Sequence, residues 1–167
     1  QVQRMAGGAT IANGLAWSPD RRQVYWADTL QHTIWVWDWD ADANTMHGER
    51  VFRQFPPKPV GWNSGMDGYG GRPDGAAVDC EGNYYVAMFE GQRVLKLAPD
   101  GDILAEIETP VVCPTMPCFG GDDLKTLYIT SARHNRPAQE LMQMPESGCV
   151  FACRVDVPGL PVNLFRD

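Results

Sequence analysis

Positive charge is what this sequence is short of. Its 14 lysines and arginines face 21 aspartates and glutamates, a formal net charge of −7. A nucleic-acid partner would demand a basic face, so that class is excluded. The balance is compatible with cation binding or with simple solubility. No run of 18 apolar residues occurs, so no stretch suits a membrane-spanning helix, and no secretory signal is recognisable. There is no CxxC pair, and five cysteines at irregular spacing (Cys80, Cys113, Cys118, Cys149, Cys153) suggest neither structural zinc nor a disulfide framework. Cys149 and Cys153 read as small core residues on one side of a strand, and the expected compartment is reducing, the cytoplasm. His32, His47 and His134 are scattered, with no HExxH spacing, and are expected at the surface. No serine or cysteine sits in a nucleophile elbow. Long amphipathic helices are missing too; only "AQELMQM" could form a turn or two.

What is present is ordinary for a globular chain: 44% hydrophobic and 21% charged among 167 residues. That length fits one domain, 1–167, burying roughly 70% of its unfolded surface. Within it lies a repeat, and a repeat decides a fold. "SPDRRQVYWAD", "VDCEGNYYVAM" and "GDDLKTLYITS" align so that Tyr25, Tyr85 and Tyr128 correspond. A second run follows each, with Ile34, Val94 and Val150 in register. A third follows more weakly: "RVFRQF", "ILAEIE" and "VNLF". Before each tyrosine run stands a short one: "GLAW", "GAAV" and "PCFG". Each unit therefore offers four short strands separated by turn residues.

The tyrosine-to-aliphatic spacing is 9 residues in the first two units and 22 in the third. The surplus is the polar excursion "ARHNRPAQELMQMPESG"; Arg133, His134 and Arg136 within it read as solvated, or as lining a channel mouth. "PPKPVGWNSGMDGYGGRP" is a second insertion, rich in proline and glycine and hence a loop. Four strands per 40–60 residues predict an all-β propeller of four-stranded antiparallel blades, about three in this chain. The boundaries are about 12–56, 72–110 and 114–167. A β-sandwich is the rival. Propellers close with about four to eight blades, more than the three that this sequence holds. The opening "QVQRMAGGATIANG" reads as the outer strand of a preceding blade.

Two dipeptides stand at equivalent places 61 residues apart: Asn13-Gly14 and Asp74-Gly75. By spacing alone they are hairpin turns, the commonest role of such pairs. The alternative is that both side chains face a common axis, with glycine letting the backbone turn tightly. Both offer oxygen, which suits hard cations rather than zinc or copper. "WVWDWD" places Trp35, Trp37 and Trp39 on one strand face, expected to pack one sheet on its neighbour. "DWDADANT" lacks the glycine and glutamate of a calcium loop and reads as a turn.

"ANGLAWSPD…YWADT", "RPDGAAVDCEGNYYVAMFEGQRVLKLAPDG", "PCFGGDDLKTLYITSAR" and "PESGCVF" closely resemble the C-terminal half of the regucalcin / gluconolactonase / luciferin-regenerating enzyme family. The likeness runs from about Ala12 to the end. It implies half of a six-bladed propeller carrying one divalent metal, most often calcium, with zinc, magnesium or manganese as alternatives. The family's asparagine ligand falls on Asn13 and its aspartate ligand on Asp74. Its glutamate ligand and its substrate-binding arginine and asparagine come from the half that this sequence does not span. By the same resemblance Asp74 would be the general base of a sugar-lactone hydrolase. Two expectations follow. One is a lactonase whose ring is completed by a missing N-terminal half or by a homodimer. The other is a non-catalytic half-propeller acting as a binding or assembly module.

Overall fold

The computed structural model describes residues 2–161. Strands β1 (Ala12–Trp17), β2 (Gln23–Asp28), β3 (Thr33–Asp40) and β4 (Thr45–Gln54) form one sheet in that order. Strands β5 (Arg72–Val78), β6 (Tyr84–Phe89), β7 (Arg93–Leu97) and β8 (Ile103–Glu108) form a second. Strands β9 (Pro114–Gly120), β10 (Thr126–Ser131) and β11 (Val150–Arg154) form a third, and helix α1 (Ala138–Gln143) lies in the excursion between β10 and β11. All pairings are antiparallel between chain neighbours, so each sheet is a meander. The fourth run expected for the last unit, "VNLF" from Val162 to Phe165, lies outside the described residues.

The repeated polar turns form the hairpins for a local reason. Asp and Ser side chains satisfy turn amides that no strand partner reaches. Asp20 Oδ1 accepts from the Arg22 amide (3.0 Å) and from Ser18 Oγ (2.6 Å). Fully buried Asp79 accepts from the Glu81 and Asn83 amides, both at 2.9 Å, and Asp123 from that of Lys125 at 3.0 Å. Asp40 likewise accepts from Asp42 and Ala43, which makes "DWDADANT" a turn.

Alternation along each strand then decides the packing. Tyr25, Ala27, Ile34 and Val36 meet Ala76, Tyr84, Val86, Met88, Leu95 and Leu97 in a core between the first two sheets. The opposite face of the second sheet, with Tyr85 and Val94, meets Leu127, Ile129, Phe119 and Phe151 of the third. The sheets therefore pack in series, first on second and second on third, rather than as two layers. Strands β1, β5 and β9 are consecutive neighbours along one side of this fan.

The fan leaves two faces without a sheet against them among the described residues. Tyr25 and Tyr85 each point toward the next sheet and are buried. Tyr128, their counterpart on the third sheet, is 44% exposed. At the other end the tryptophan stripe, expected to pack one sheet on its neighbour, meets no second sheet among the described residues. The core side of β3 is Ile34 and Val36; Trp35, Trp37 and Trp39 face away from it, with Trp26 stacked on Trp37 at 5.4 Å. Residues 2–11 form no strand; they run along this face, where the Thr10 and Ile11 amides donate to Asp28 at 2.8 and 3.3 Å. The Trp26 indole N–H is buried there without a partner among the described residues. All five cysteines are free thiols. Cys153 is half-buried, but Cys149 precedes β11 and is exposed, because the turn at Glu146 holds its amide outside the ladder.

Candidate functional site

Asn13 is the second residue of β1 and Asp74 the third of β5. Both lie inside strands, at a bulge that interrupts pairing between Asn13 and Ala16 and between Pro73 and Ala76. A bulge re-aims side chains out of the pleat. The hairpin-turn reading thus gives way to a position on the strands that run side by side.

The glycines are required by proximity more than by turning. A Cβ on Gly14 would stand 2.9 Å from the Asp74 carbonyl oxygen, and the residue also adopts a φ of +58°. Gly75 has no left-handed φ, yet a Cβ there would stand 2.6 Å from the Thr115 carbonyl and 3.0 Å from the Met116 Cα. The inner strands of successive sheets approach too closely for a side chain. Buried Tyr84 locks the first crossing by donating from its hydroxyl to the Gly14 carbonyl at 2.5 Å.

Asn13 donates from Nδ2 to Thr29 Oγ1 at 2.9 Å, which turns its carbonyl oxygen the other way. Asp74 is half-buried, and burial pushes its carboxyl up to about 6, while nearby Arg72 and the Gly75 amide pull it down. A cavity of about 580 Å³ opens beside Asn13, Gly14 and Leu15 and is bounded also by Trp26 and Met116; Asp74 does not line it. Among the described residues no group of three or more His, Cys, Asp or Glu side chains could hold a metal. The amide and carboxylate oxygens are hard donors that fit a calcium-like ion as two of its six to eight ligands.

Beside this region lies an ion cluster that sequence reasoning missed. Glu90, 6% exposed at the β6–β7 turn, receives Lys58 Nζ at 2.8 and 2.9 Å and Arg136 Nη1 at 3.0 Å, with Arg72 Nη2 at 3.5 Å. Arg136 also grips Glu140 with two hydrogen bonds of 2.7 and 2.8 Å. Burial works to raise Glu90, but the hydrogen bonds from Lys58 and Arg136 outweigh it and hold the carboxyl below its ordinary value. Both insertions are thereby pinned to the second sheet. Arg136 is consequently not a solvated loop residue. Its i,i+4 spacing to Glu140 was a readable signal; the convergence on Glu90, from residues 32 and 46 positions away, was not.

His32 departs from its expected surface position as well. It is buried between the Leu30 carbonyl, 3.1 Å from Nδ1, and the Tyr69 hydroxyl, 2.8 Å from Nε2. Burial lowers its proton affinity. His47 and His134 are exposed, as expected.

Known proteins share this chain's sequence and shape. The family described as SMP-30/Gluconolactonase/LRE-like region matches residues 1–133. A 6-deoxy-6-sulfogluconolactonase of Pseudomonas putida is 49% identical over 166 residues, covering 99% of this chain and 53% of that protein. Regucalcin of Danio rerio is 35% identical over 153 residues, covering 90% and 48%. The crystal structure of a calcium-binding protein, regucalcin from Agrobacterium tumefaciens, superposes with a TM-score of 0.81 at 28% identity, covering 95% of this chain and 50% of that one. The chain thus spans about half the length of the relatives it matches, and its three sheets are part of a β-propeller. By its sequence this chain belongs to the SMP-30/gluconolactonase/luciferin-regenerating-enzyme-like family.

Proposed function

We propose that the chain is half of a divalent-metal-dependent sugar-lactone hydrolase, with residues 12–56, 72–110 and 114–167 as three blades of a six-bladed ring. The observation that carries this reading is the 49% identity, over 99% of the chain, to the Pseudomonas sulfogluconolactonase. That relative's name makes a gluconolactone, plain or 6-sulfo, the substrate class to test. Asn13 and Asp74 would supply oxygen ligands to the ion. Calcium is the first choice because its loose coordination accepts amide, carboxylate and water; zinc, magnesium and manganese are the alternatives. Such an ion, when bound, polarises the lactone carbonyl and stabilises the oxyanion.

The chain's own chemistry centres on Asp74. Its carboxylate takes a proton from water as the water oxygen bonds to the carbonyl carbon. The carbon–ring-oxygen bond then breaks, and the same proton passes to the departing oxygen to give the open hydroxy acid. Burial raises this carboxyl to about 6 without an ion, and a cation beside it would lower that value. It is therefore ionised at neutral pH and can accept a proton. The two uncovered faces support completion of the ring by a missing N-terminal half or by a second copy. Five free thiols support a reducing compartment such as the cytoplasm, and no helix among the described residues is long and apolar enough to cross a membrane.

The test is hydrolysis of both lactones with calcium, zinc, magnesium or manganese added, for the parent chain and for Asp74→Ala. Loss of the carboxylate is expected to lower the rate at least 10²-fold and to weaken calcium binding in calorimetry. An unchanged calcium titration would take Asp74 out of the site. The second reading, a non-catalytic assembly module, draws on the two-ligand donor set. It predicts no lactone turnover from a species whose mass in solution stays at 18.5 kDa.

A further inference from the structure

Asn13 and Asp74 have a third counterpart that no motif marks. Ala16 pairs with Tyr25, Ala77 with Tyr85 and Cys118 with Tyr128. Three residues back along each inner strand stand Asn13, Asp74 and Thr115. The third strand also breaks its pairing there, between the pairs Met116–Thr130 and Pro114–Ser131, with Thr115 the extra residue. The backbone contact repeats as well. The Asp74 carbonyl abuts Gly14, and the Thr115 carbonyl abuts Gly75. β5 and β9 thus each offer the residue at the bulge to the preceding sheet's glycine. Met116, next to Thr115, reaches the cavity that Asn13 lines.

Both side chains also meet a threonine hydroxyl, from different positions on or just past the neighbouring strand. Asn13 hands its amide hydrogen to a threonine hydroxyl, that of Thr29. Thr115 Oγ1 lies 2.7 Å from Thr130 Oγ1, and Thr130 Oγ1 can donate to the Met116 carbonyl at 3.4 Å. A hydroxyl has one proton. Either hydroxyl can donate in the Thr115–Thr130 bond, and in either direction Thr115 Oγ1 retains a free lone pair. Thr115 is half-buried on the innermost strand of the third sheet, so its hydroxyl is not closed off from solvent.

We propose that Thr115 is a specificity-determining residue of the site, accepting a hydrogen bond from a hydroxyl of the polyol part of the substrate. The proposal rests on the lactone-hydrolase reading for its substrate class, but its probe does not depend on turnover. Glucitol carries the hydroxyls of such a substrate without the lactone carbonyl. Its affinity for the metal-supplemented protein is measured by calorimetry for the parent, Thr115→Val, Thr115→Ala and Thr115→Ser.

Valine and alanine, which lack the hydroxyl, are expected to weaken glucitol binding about tenfold, the value of one hydrogen bond. Serine should restore it, and all three should melt with the parent. On a hydrolysable lactone the valine change should raise KM and spare kcat, the pattern of binding lost equally in ground and transition states. Equal glucitol affinity in all four proteins overturns the proposal, as does a parent that binds no glucitol. A loss that tracks a lowered melting temperature, or that serine fails to restore, also overturns it. Glucitol binding that follows the hydroxyl in a protein that hydrolyses no lactone would sink the hydrolase reading and leave Thr115 standing.

Discussion

At the scale of the residue, Gly75 shows how little room the inner strands leave each other. Its backbone is ordinary, so what bars a side chain is crowding by Met116 and by the Thr115 carbonyl, the latter at 2.6 Å. Gly75→Ala should therefore destabilise by about 1–3 kcal/mol, the usual cost of forcing an atom into a packed site. Gly7→Ala serves as the control, since nothing lies within 4 Å of its Cβ position. Thermal melting reads the difference; equal melting of the two variants would mean that the strands can part without cost. The sequence showed that a glycine follows Asn13 and Asp74, but offered turning as the reason. Crowding by another sheet is invisible in one dimension, because the crowding atoms of Thr115 are 40 positions further on.

Elements were more legible than residues. The strands of the first two sheets fall on the runs read from the sequence, because alternation and turn chemistry are local, except that β4 starts at Thr45, five residues before "RVFRQF". The insertions were correctly read as lacking strands, and their anchoring was not, since Lys58, Glu90 and Arg136 come from three separate segments. Glu90→Gln should cost about 3 kcal/mol, the penalty for removing one partner from a buried ion cluster. It should also open residues 59–68 and 133–136 to limited proteolysis.

The pH dependence has a definite sign. Glu90 is held below its ordinary value, so its contribution is fully present above the unfolded carboxyl value of about 4.3 and is lost as pH falls through the folded one. The stability gap between parent and Glu90→Gln should therefore narrow on acidification below about pH 4. A gap that stays constant to pH 3 would show that the carboxylate charge is not what holds the loops. Asp38, paired at the surface with Arg50 (side chains 50% and 41% exposed), gives the contrast: Asp38→Asn should change stability by less than about 1 kcal/mol.

For the whole molecule the telling feature is the pair of uncovered faces. Leu15 (60% exposed) and Val51 (50%) stand with the tryptophans at one end, and Val150 (63%) with Tyr128 at the other. If these faces close a ring, whether against a second copy or against the other half, Leu15→Lys and Val150→Lys should block assembly. Neither should lower the melting temperature of the half itself, because both side chains already meet water. Sedimentation velocity distinguishes the species, and assembly that survives both charges would mean that the contact lies elsewhere. The tryptophan stripe was assigned to a joint between sheets because its periodicity was clear. Periodicity says that one face is apolar, not which sheet meets it.

Local chemistry settled the strands, the turns and the threefold repeat, since alternation, side-chain-capped hairpins and spacing act over a few residues at a time. It also made the family recognisable from contiguous motifs. Everything that depends on the order in which sheets pack was decided in three dimensions. That order buries Ile34 and leaves Trp35 turned away, presses Gly75 against Thr115, and draws Arg136 onto Glu90. Such contacts follow from how sheets stack, and stacking brings together residues that no local pattern links.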